Sequence, residues 1–418
     1  MVKTDVIARL QAAGFSAYLR GFSAADSFLG REAGASLQIF TSADTADLAR
    51  LFENLRFPGT ELADAALLEE SALREEFALQ AGRKAYYFFC ADSEKPPVRT
   101  QQGSLFPAES RAPSFGILDF YQDLATGSFL DRGGAYPLLA ALRRGERLSL
   151  AEILGGARGG AGDGGHLADA ALILARYLPF GTETQRQGVK AAAMFAAKGG
   201  GRGPGTEEQR LLLCGLLASP NPGLGFELLK NTGFLRRVWP DLADMDDVEH
   251  TKEFHPEGNV FSHTMETFRH RKAAAGGSYD LTLSLGLLLH DLGKTAAGSA
   301  GRLRFDGHAE LGAAKARRFL ERLGFPAPLA SDVCYLIKNH MIPAALPRLP
   351  LYRTREIMAS PLFPLLMELY RCDESSSFKG LGGYYESSAV YQSYLKNSRN
   401  PYRSADGKKR QQGRGGRL

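Results

Sequence analysis

LTLSLGLLLHDLGK, residues 281–294, is the stretch that decides the fold. On a helix its leucines at 281, 283, 285, 287, 288 and 289 fall on every side, so the segment reads as a helix buried among other helices. At the end of the run come His290 and Asp291. An imidazole and a carboxylate side by side in an apolar interior are costly unless they are paired or coordinate a cation. Working outward, more groups of the same chemistry stand at helical stretches. His263 follows the loop HPEGNVFS and opens a helix, HTMETFRHRKAAA. His308 lies near the start of HAELGAAKARRFLERLG, His340 ends SDVCYLIKNH, and Asp373 falls within LFPLLMELYRCDES. Ligands from separate helices that converge on a bundle core are a known way to build a metal site. Imidazole and carboxylate ligands suit divalent first-row ions, and a cation of this kind turns water into a nucleophile near neutral pH.

Each of these histidines alone would read as an ordinary core or surface residue; the ordered set is what points to a metal. Lys294, one turn after His290, reads either as a phosphate partner or as a solvated cation at a helix end. His255, in the HPEG turn, reads as a loop or capping residue, and His166, His250 and His270 support no argument.

The rest of the chain sets the frame. Its 418 residues are too many for one compact core, so two or three domains are expected. A hydrophobic content of 44% and a charged content of 23% are those of a soluble globular protein. No run of about 18 apolar residues is present and MVKTDVIARL lacks a signal-peptide core, so the expectation is a cytoplasmic enzyme with no membrane partner. Cys90, Cys214, Cys334 and Cys372 show no paired spacing, which argues against a zinc knuckle or disulfide partners.

Along the chain, residues 1–45 alternate a helix (VIARLQAAG), a strand (SAYLRG), a helix (AADSFLG) and a strand (SLQIFTS), with further strand-like runs at KAYYFFCA and SFGILDFY. Between those two runs lies a proline-bearing loop, EKPPVRTQQGSLFPAESRAPS. From about residue 135 the spacing becomes helical, in YPLLAALRRG, LADAALILARYL, QRLLLCGLLAS and GFELLKNTGFLRRV, broken by the links GGARGGAGDGG and AKGGGRGPG. The final segment, NSRNPYRSADGKKRQQGRGGRL, is basic and too poor in apolar residues to fold alone. It reads as a phosphate-contacting arm, a solvated terminus or a fusion scar.

The order His, His-Asp, Asp resembles the HD superfamily of metal-dependent phosphohydrolases. More widely, residues 205–375 resemble the HD-containing half of bacterial tRNA CCA-adding enzymes and poly(A) polymerases, in TEEQRLLLCGLLASPNPGLGFELLKNTGFLRRVWPDL, EFHPEGNVFSHT, LLLHDLGK, GHAELGA and KNHM. The resemblance implies that His263, His290, Asp291 and Asp373 hold one ion. It implies that His308 and His340 hold a second ion or bind a substrate phosphate, and that Lys294 steadies a phosphate oxygen. Asp291 and Lys294 are then the catalytic pair. The cofactor expected is one or two divalent ions (Mn, Ni, Co, Fe or Mg).

The head departs from the same family. Where the family has GGxVRDxLLGR and then DxDIxT, this chain reads RGFSAADSFLGREAGASLQIFTSA. Asp26, Gly30 and Arg31 keep their places as candidate nucleotide-binding residues, with Leu29 beside them. Phe22 and Ala25 replace a glycine and an arginine, and Ser36 and Gln38 stand where the two metal-binding carboxylates belong. Serine and glutamine are poor substitutes for an anionic magnesium cage. ALREEFALQA likewise puts Glu75, Glu76 and Gln80 where the family's RRDFTINA has arginine, aspartate and asparagine, and HLADAALILARYL lacks the arginine ladder of the next motif.

The fold expected is α+β and mostly α: a small α/β nucleotidyltransferase-like head, a helical neck and body, and an all-helical HD domain. The expected boundaries are 1–135 for the head, 136–245 for the neck and body, 246–395 for the HD domain and 396–418 for the tail. The function expected is a metal-dependent phosphohydrolase acting on a nucleotide or RNA 3′-end phosphate, tRNA included, with an inactive head. A non-catalytic RNA-binding or regulatory protein with a structural metal is the alternative, and surviving CCA or poly(A) addition comes third.

Overall fold

The computed structural model describes residues 5–31, 36–53, 55, 65–70, 84–90, 98–99, 105–106, 116–146, 164–178, 204–249, 258–273, 279–297, 307–377 and 380–398. ALREEFALQA, most of the proline-bearing loop, most of the two glycine-rich links, His250, His255 and the basic tail beyond Ser398 lie outside the described residues. The chain is mostly helical with a small mixed sheet, as expected. It divides into two compact units. One comprises residues 1–240, 272–281 and 320–327; the other comprises 241–271, 282–319 and 328–418. Among the described residues no helix is long and apolar enough to cross a membrane.

In the first unit the chain begins with α1 (Asp5–Ala12), β1 (Ala17–Arg20), α2 (Phe22–Phe28), β2 (Ser36–Thr41) and α3 (Thr45–Leu51). Four further strands complete the main sheet: β3 (Ala65–Glu70), β4 (Lys84–Cys90), β7 (Phe120–Asp123) and β8 (Phe129–Asp131). The order is β3-β4-β2-β1-β7-β8, with β2 and β4 parallel and the other pairs antiparallel. A separate ribbon pairs β5 (Val98–Arg99) with β6 (Leu105–Phe106). Along β2, Leu37, Ile39 and Phe40 are buried and Gln38 is half-buried, so side chains on both faces of the strand are covered. At the hand-over from β1 to α2, Gly21 takes φ +57°, and a side chain there would press on Gln38 and Leu118.

Helices α4 (Tyr136–Arg143), α5 (Gly164–Tyr177), α6 (Thr206–Leu217), α7 (Pro222–Asn231) and α8 (Phe234–Val238) follow, and a short α9 (Pro240–Ala243) bridges the unit boundary. Trp239 is fully buried and donates from Nε1 to Gln209 at 3.1 Å. Burial at this level, multiplied over the leucines of α6 and α7, contributes about 1.5–3 kcal/mol per large side chain.

One expected element differs. SFGILDFY is a strand only from Phe120, because the backbone N–H groups of Gly116 and Ile117 donate to the Asp169 carboxylate at 2.8 and 2.9 Å, holding Gly116–Asp119 as a 3₁₀ turn. GFELLKNTGFLRRV is helical as expected and divides into two helices, because Gly233 takes a left-handed φ of +74° that ends the first. Strands β3 and β8 were not expected at all.

The second unit is helical. It contains α10 (Val260–Thr267), most of α11 (Leu281–Leu289), α12 (Lys294–Ala297), most of α13 (His308–Arg322), most of α14 (Ala327–Asn339), α15 (Ile342–Ala345), α16 (Leu351–Met358), α17 (Phe363–Ser375) and α18 (Gly382–Ser398). Residues 283–289 of α11 are all buried. Gly286 lets α11 approach its neighbours, since a Cβ there would stand 3.1 Å from Leu336 on α14 and 3.2 Å from Leu369 on α17. The helix expected to open at His263 begins instead at Val260 and ends at Thr267, followed by a 3₁₀ turn. The reason is the cap: Asn259 accepts from the Ser262 N–H at 2.8 Å and is itself held by Asp246 at 2.9 Å.

Candidate metal centre

Helix α11 stops at Leu289, and the next residues turn: Leu292 N–H donates to Leu289 O and Lys294 N–H to Asp291 O, both bonds of the i to i+3 kind. That turn aims His290 and Asp291 back into the bundle. His263 enters from the second turn of α10, His308 from the first residue of α13, His340 from just beyond α14 and Asp373 from the last turns of α17. The structure brings all six together as two groups, His263–His290–Asp373 and Asp291–His308–His340. Within each group the ligand atoms lie within 4.8 Å of one another. Among the described residues these are the groupings of three or more metal-ligating side chains.

The hydrogen bonds orient the rings. His290 Nδ1 donates to Leu287 O at 2.8 Å and His340 Nδ1 donates to Ile337 O at 2.7 Å; a carbonyl can only accept, so these nitrogens carry the protons. Ser376 Oγ donates to Asp373 O at 2.6 Å and is left to accept from His263 Nδ1 at 3.3 Å. In the neutral rings Nε2 then bears a lone pair, and it faces the cluster. His263 Nε2 is 2.9 Å from Asp373 Oδ1, and His308 Nε2 is 3.1 Å from His340 Nε2. Buried His290 Nε2 has no hydrogen-bond partner; it lies 3.3 Å from Asp291 Oδ2 and 3.8 Å from Asp373 Oδ1, an electrostatic approach without hydrogen-bond alignment. Lone pairs and carboxylate oxygens facing one another at these distances repel unless a proton or a cation sits between them. The donor set therefore fits a divalent ion.

Electrostatics agree. Burial alone would raise the Asp291 carboxyl, but Lys294 and the neighbouring histidines hold it well below the ordinary carboxylate range. Asp373 is likewise held far down against its burial, chiefly by the His263 imidazole, whose Nε2 lies 2.9 Å away. Burial would lower His290, yet Asp291 beside it raises its proton affinity above the usual imidazole value. A pocket that strengthens proton binding at a buried imidazole favours any cation there. His340 is the reverse: burial, with His290 close by, depresses it to about 4, so it is a neutral donor at pH 7. Cys372, beside Asp373, is no competing ligand, since burial pushes its thiol up to about 12.

The site has a floor and a rim. The side chains of His263, His290 and Asp291 are 1–3% exposed, whereas Asp373, Lys294 and His308 are 28%, 15% and 12% exposed. Lys294 Nζ donates to Asp291 Oδ2 at 2.6 Å, so its ammonium neutralises part of that carboxylate and stands at the opening. Ser376, which orients His263, was missed in the sequence; its only signal is its place one turn after Asp373.

The other candidate residues lie in the first unit. Asp26 is buried and accepts from Nε and Nη2 of Arg176 on α5. Gly30, at φ +70°, ends the α2 turn, and the Arg31 guanidinium lies 4.9 Å over the ring of Tyr177. Gln38 is half-buried, its N–H donating to Ser23 Oγ at 2.9 Å.

Residues 260–368 match the model of the HD domain family. The chain is 32% identical over 125 residues to the multifunctional CCA protein of Halorhodospira halophila, a match covering 30% of this chain and 29% of that one. It is 32% identical over 142 residues to the CC-adding tRNA nucleotidyltransferase of Thermus thermophilus, covering 33% and 32%. The chain thus spans about a third of the length of the curated relatives it matches. Among solved structures, the Bacillus stearothermophilus CCA-adding enzyme in complex with CTP aligns with 94% of this chain and 81% of its own, at 17% identity and a TM-score of 0.41. So distant a structural likeness supports nothing about the reaction. The expected similarity to CCA-adding enzymes that carry an HD domain holds.

Proposed function

From an HD domain carried by a relative of CCA-adding enzymes, we propose that this chain is a metal-dependent phosphohydrolase whose head no longer transfers nucleotides. Its substrate class is a phosphomonoester or phosphodiester at a nucleotide or RNA 3′ end, tRNA included. In this reading residues 1–135 are the inactive head, 136–245 a helical neck and body, 246–395 the catalytic domain and 396–418 a basic tail. The observation that carries it is the convergence of four imidazoles and two ionised carboxylates in a buried cluster of which Asp373, Lys294 and His308 keep partial exposure.

His263, His290, Asp291 and Asp373 would hold one ion, and Asp291, His308 and His340 could hold a second. Bound there, a divalent cation supplies a nucleophilic water near neutral pH and polarises the phosphoryl oxygen. The protein's own groups do the rest. Asp291 spans both ligand groups, with Oδ2 toward Lys294 and His290 and Oδ1 3.7 Å from His308 Nε2. Lys294 offsets negative charge that grows on the phosphoryl oxygens, an interaction strengthened by the water-poor floor. His308, partly exposed, would hold a phosphate oxygen where it does not hold an ion.

In the head, Gln38 is neutral where the family carries an aspartate, and Asp26 is already engaged by Arg176. Both features support loss of nucleotide addition. The second reading, surviving CCA or CC addition, is favoured by the names of the relatives over the matched third. One assay set separates the readings. Purified protein is analysed for bound metal, then tested with Mn, Ni, Co, Fe or Mg for phosphate release from generic esters and 2′,3′-cyclic nucleotides. In parallel it is incubated with tRNA lacking its 3′ end and labelled nucleoside triphosphates. Metal-dependent release without extension supports the hydrolase; extension without release replaces it with the transferase; bound metal with neither leaves a binding protein with a structural ion.

A further inference from the structure

The second ligand group meets at one small residue, and we propose that Gly312 is the positioning residue on which Asp291, His308 and His340 depend as a set. The proposal rests on the metal-site reading above and adds a residue that itself ligates nothing. Gly312 lies one turn along α13 from His308. A Cβ built on it would stand 3.1 Å from the backbone nitrogen of Gly293 and 3.3 Å from Cγ2 of Ile337. Gly293 belongs to the turn that presents Asp291, and Ile337 supplies the carbonyl that orients His340. One position therefore touches the Asp291 turn, the helix bearing His308 and the residue steering His340.

The reciprocal contact is closer. A Cβ at Gly293 would fall 1.9 Å from His308 O and 2.5 Å from Gly312 N. This is backbone against backbone, with no flexible side-chain end to move aside. A second tie pins the same crossing: Lys315 Nζ, about one turn beyond Gly312 on α13, donates to Thr295 Oγ1 at 2.7 Å, and Thr295 Oγ1 donates to Leu292 O at 2.8 Å.

The first group is built on other elements. His263, His290 and Asp373 come from α10, the end of α11 and α17, and are oriented by Ser376 and Leu287. A Cβ at Gly312 forces its neighbours back by a few tenths of an ångström. Metal–ligand distances tolerate only about 0.2 Å. The displacement falls on His308 relative to Asp291 and His340; the near neighbours of a Cβ at Gly312 include none of His263, His290 and Asp373. The two ligand groups are separable, and the glycine crossing decides whether the second exists.

The test uses the full chain as wild type, Gly312→Ala, Lys315→Met and His308→Ala, with Mn or Co alone as probe. Equilibrium dialysis with elemental analysis counts the ions, calorimetric titration gives both affinities, and NMR of the ion-free protein follows the histidine rings. The expectation is two ions on the wild type. Gly312→Ala should weaken the second by about tenfold or more, as loss of an orienting neighbour does, and weaken the first, which draws only Asp291 from that set, clearly less. Lys315→Met, which adds no bulk at the crossing, should weaken the same ion less. Ring signals of His308 and His340 should shift in Gly312→Ala, and those of His263 and His290 should not. Unchanged second-ion affinity in Gly312→Ala while His308→Ala loses that ion overturns the proposal and leaves the metal site standing. Loss of both ions together in a folded Gly312→Ala also overturns it, as does a wild type that takes one ion only. A wild type that takes no ion removes the proposed function instead, and ring shifts beyond His308 and His340 would then reject the glycine's role on their own.

Discussion

The head and the HD unit each place a carboxylate from a recognisable motif in a buried setting, and they dispose of its charge in opposite ways. In the head, Asp26 is engaged by the Arg176 guanidinium from a neighbouring helix, with Arg176 packed 4.8 Å over the Phe22 ring. In the HD unit, Asp291 and Asp373 face imidazole nitrogens, and His290 Nε2 is left without a hydrogen bond. The first arrangement is electrically closed by the protein alone. The second has donor atoms in excess of the protons that could link them. A retained motif residue therefore says little about a retained activity; what matters is whether its surroundings leave it something to bind.

The strongest way to break this contrast is Asp291→Ala. Because even an orienting neighbour of a metal ligand is worth about 10–100-fold, removal of a carboxylate that belongs to one ligand group and lies 3.3 Å from His290 of the other should lower phosphoester turnover by more than about a hundredfold. Steady-state rates with Mn or Co added at saturation check this, with circular dichroism to show the fold intact. Turnover equal to the wild type would end the hydrolase reading.

Next in size is a stability effect confined to the head. Arg176→Met leaves Asp26 buried without its partner, which should cost about 3 kcal/mol in urea unfolding of the first unit. Phosphoester turnover should stay at the wild-type level. A loss of turnover matching the loss of stability would mean that the head takes part in the reaction.

Ser376→Ala is smaller still. Without the hydroxyl that receives His263 Nδ1–H, the ring is free to rotate, and metal affinity should fall by about tenfold with little change in thermal midpoint. Calorimetric titration reads it, and an unchanged affinity would mean that packing alone orients His263. The smallest expected effect is none: the wild type should not extend tRNA lacking its 3′ end. Robust incorporation of labelled nucleotide would contradict the loss argued from Ser36 and Gln38.

Much of the candidate centre was legible because of local chemistry. A His-Asp pair closing an all-round apolar helix has few physical options, and the other four side chains sit at stretches whose helical spacing is plain. A division of the ligands, with His308 and His340 apart from the rest, was implied by the family resemblance; the grouping of Asp291 with those two histidines was not legible, since it depends on how α13 meets the 291–295 turn near Gly293 and Gly312, residues that in sequence look like any loop or helix glycine. Nor was the Lys294–Asp291 bond, which depends on the turn that ends α11. In the head, β1, β2 and β4 were readable as short strand-like runs. The 3₁₀ turn at Gly116–Asp119 was not, because the carboxylate that holds it comes from Asp169 on α5.

By itself the sequence determined the secondary-structure character of most described segments and the chemical types of the candidate site residues, since periodicity and side-chain chemistry are local properties. Only the tertiary structure decided which Nε2 faces which oxygen, which carboxylate is neutralised by arginine and which is left for a cation. Those outcomes depend on contacts between residues far apart in the chain, such as His263 with Asp373 and Asp26 with Arg176. Burial then turns each such contact from a weak solvated attraction into one that governs charge.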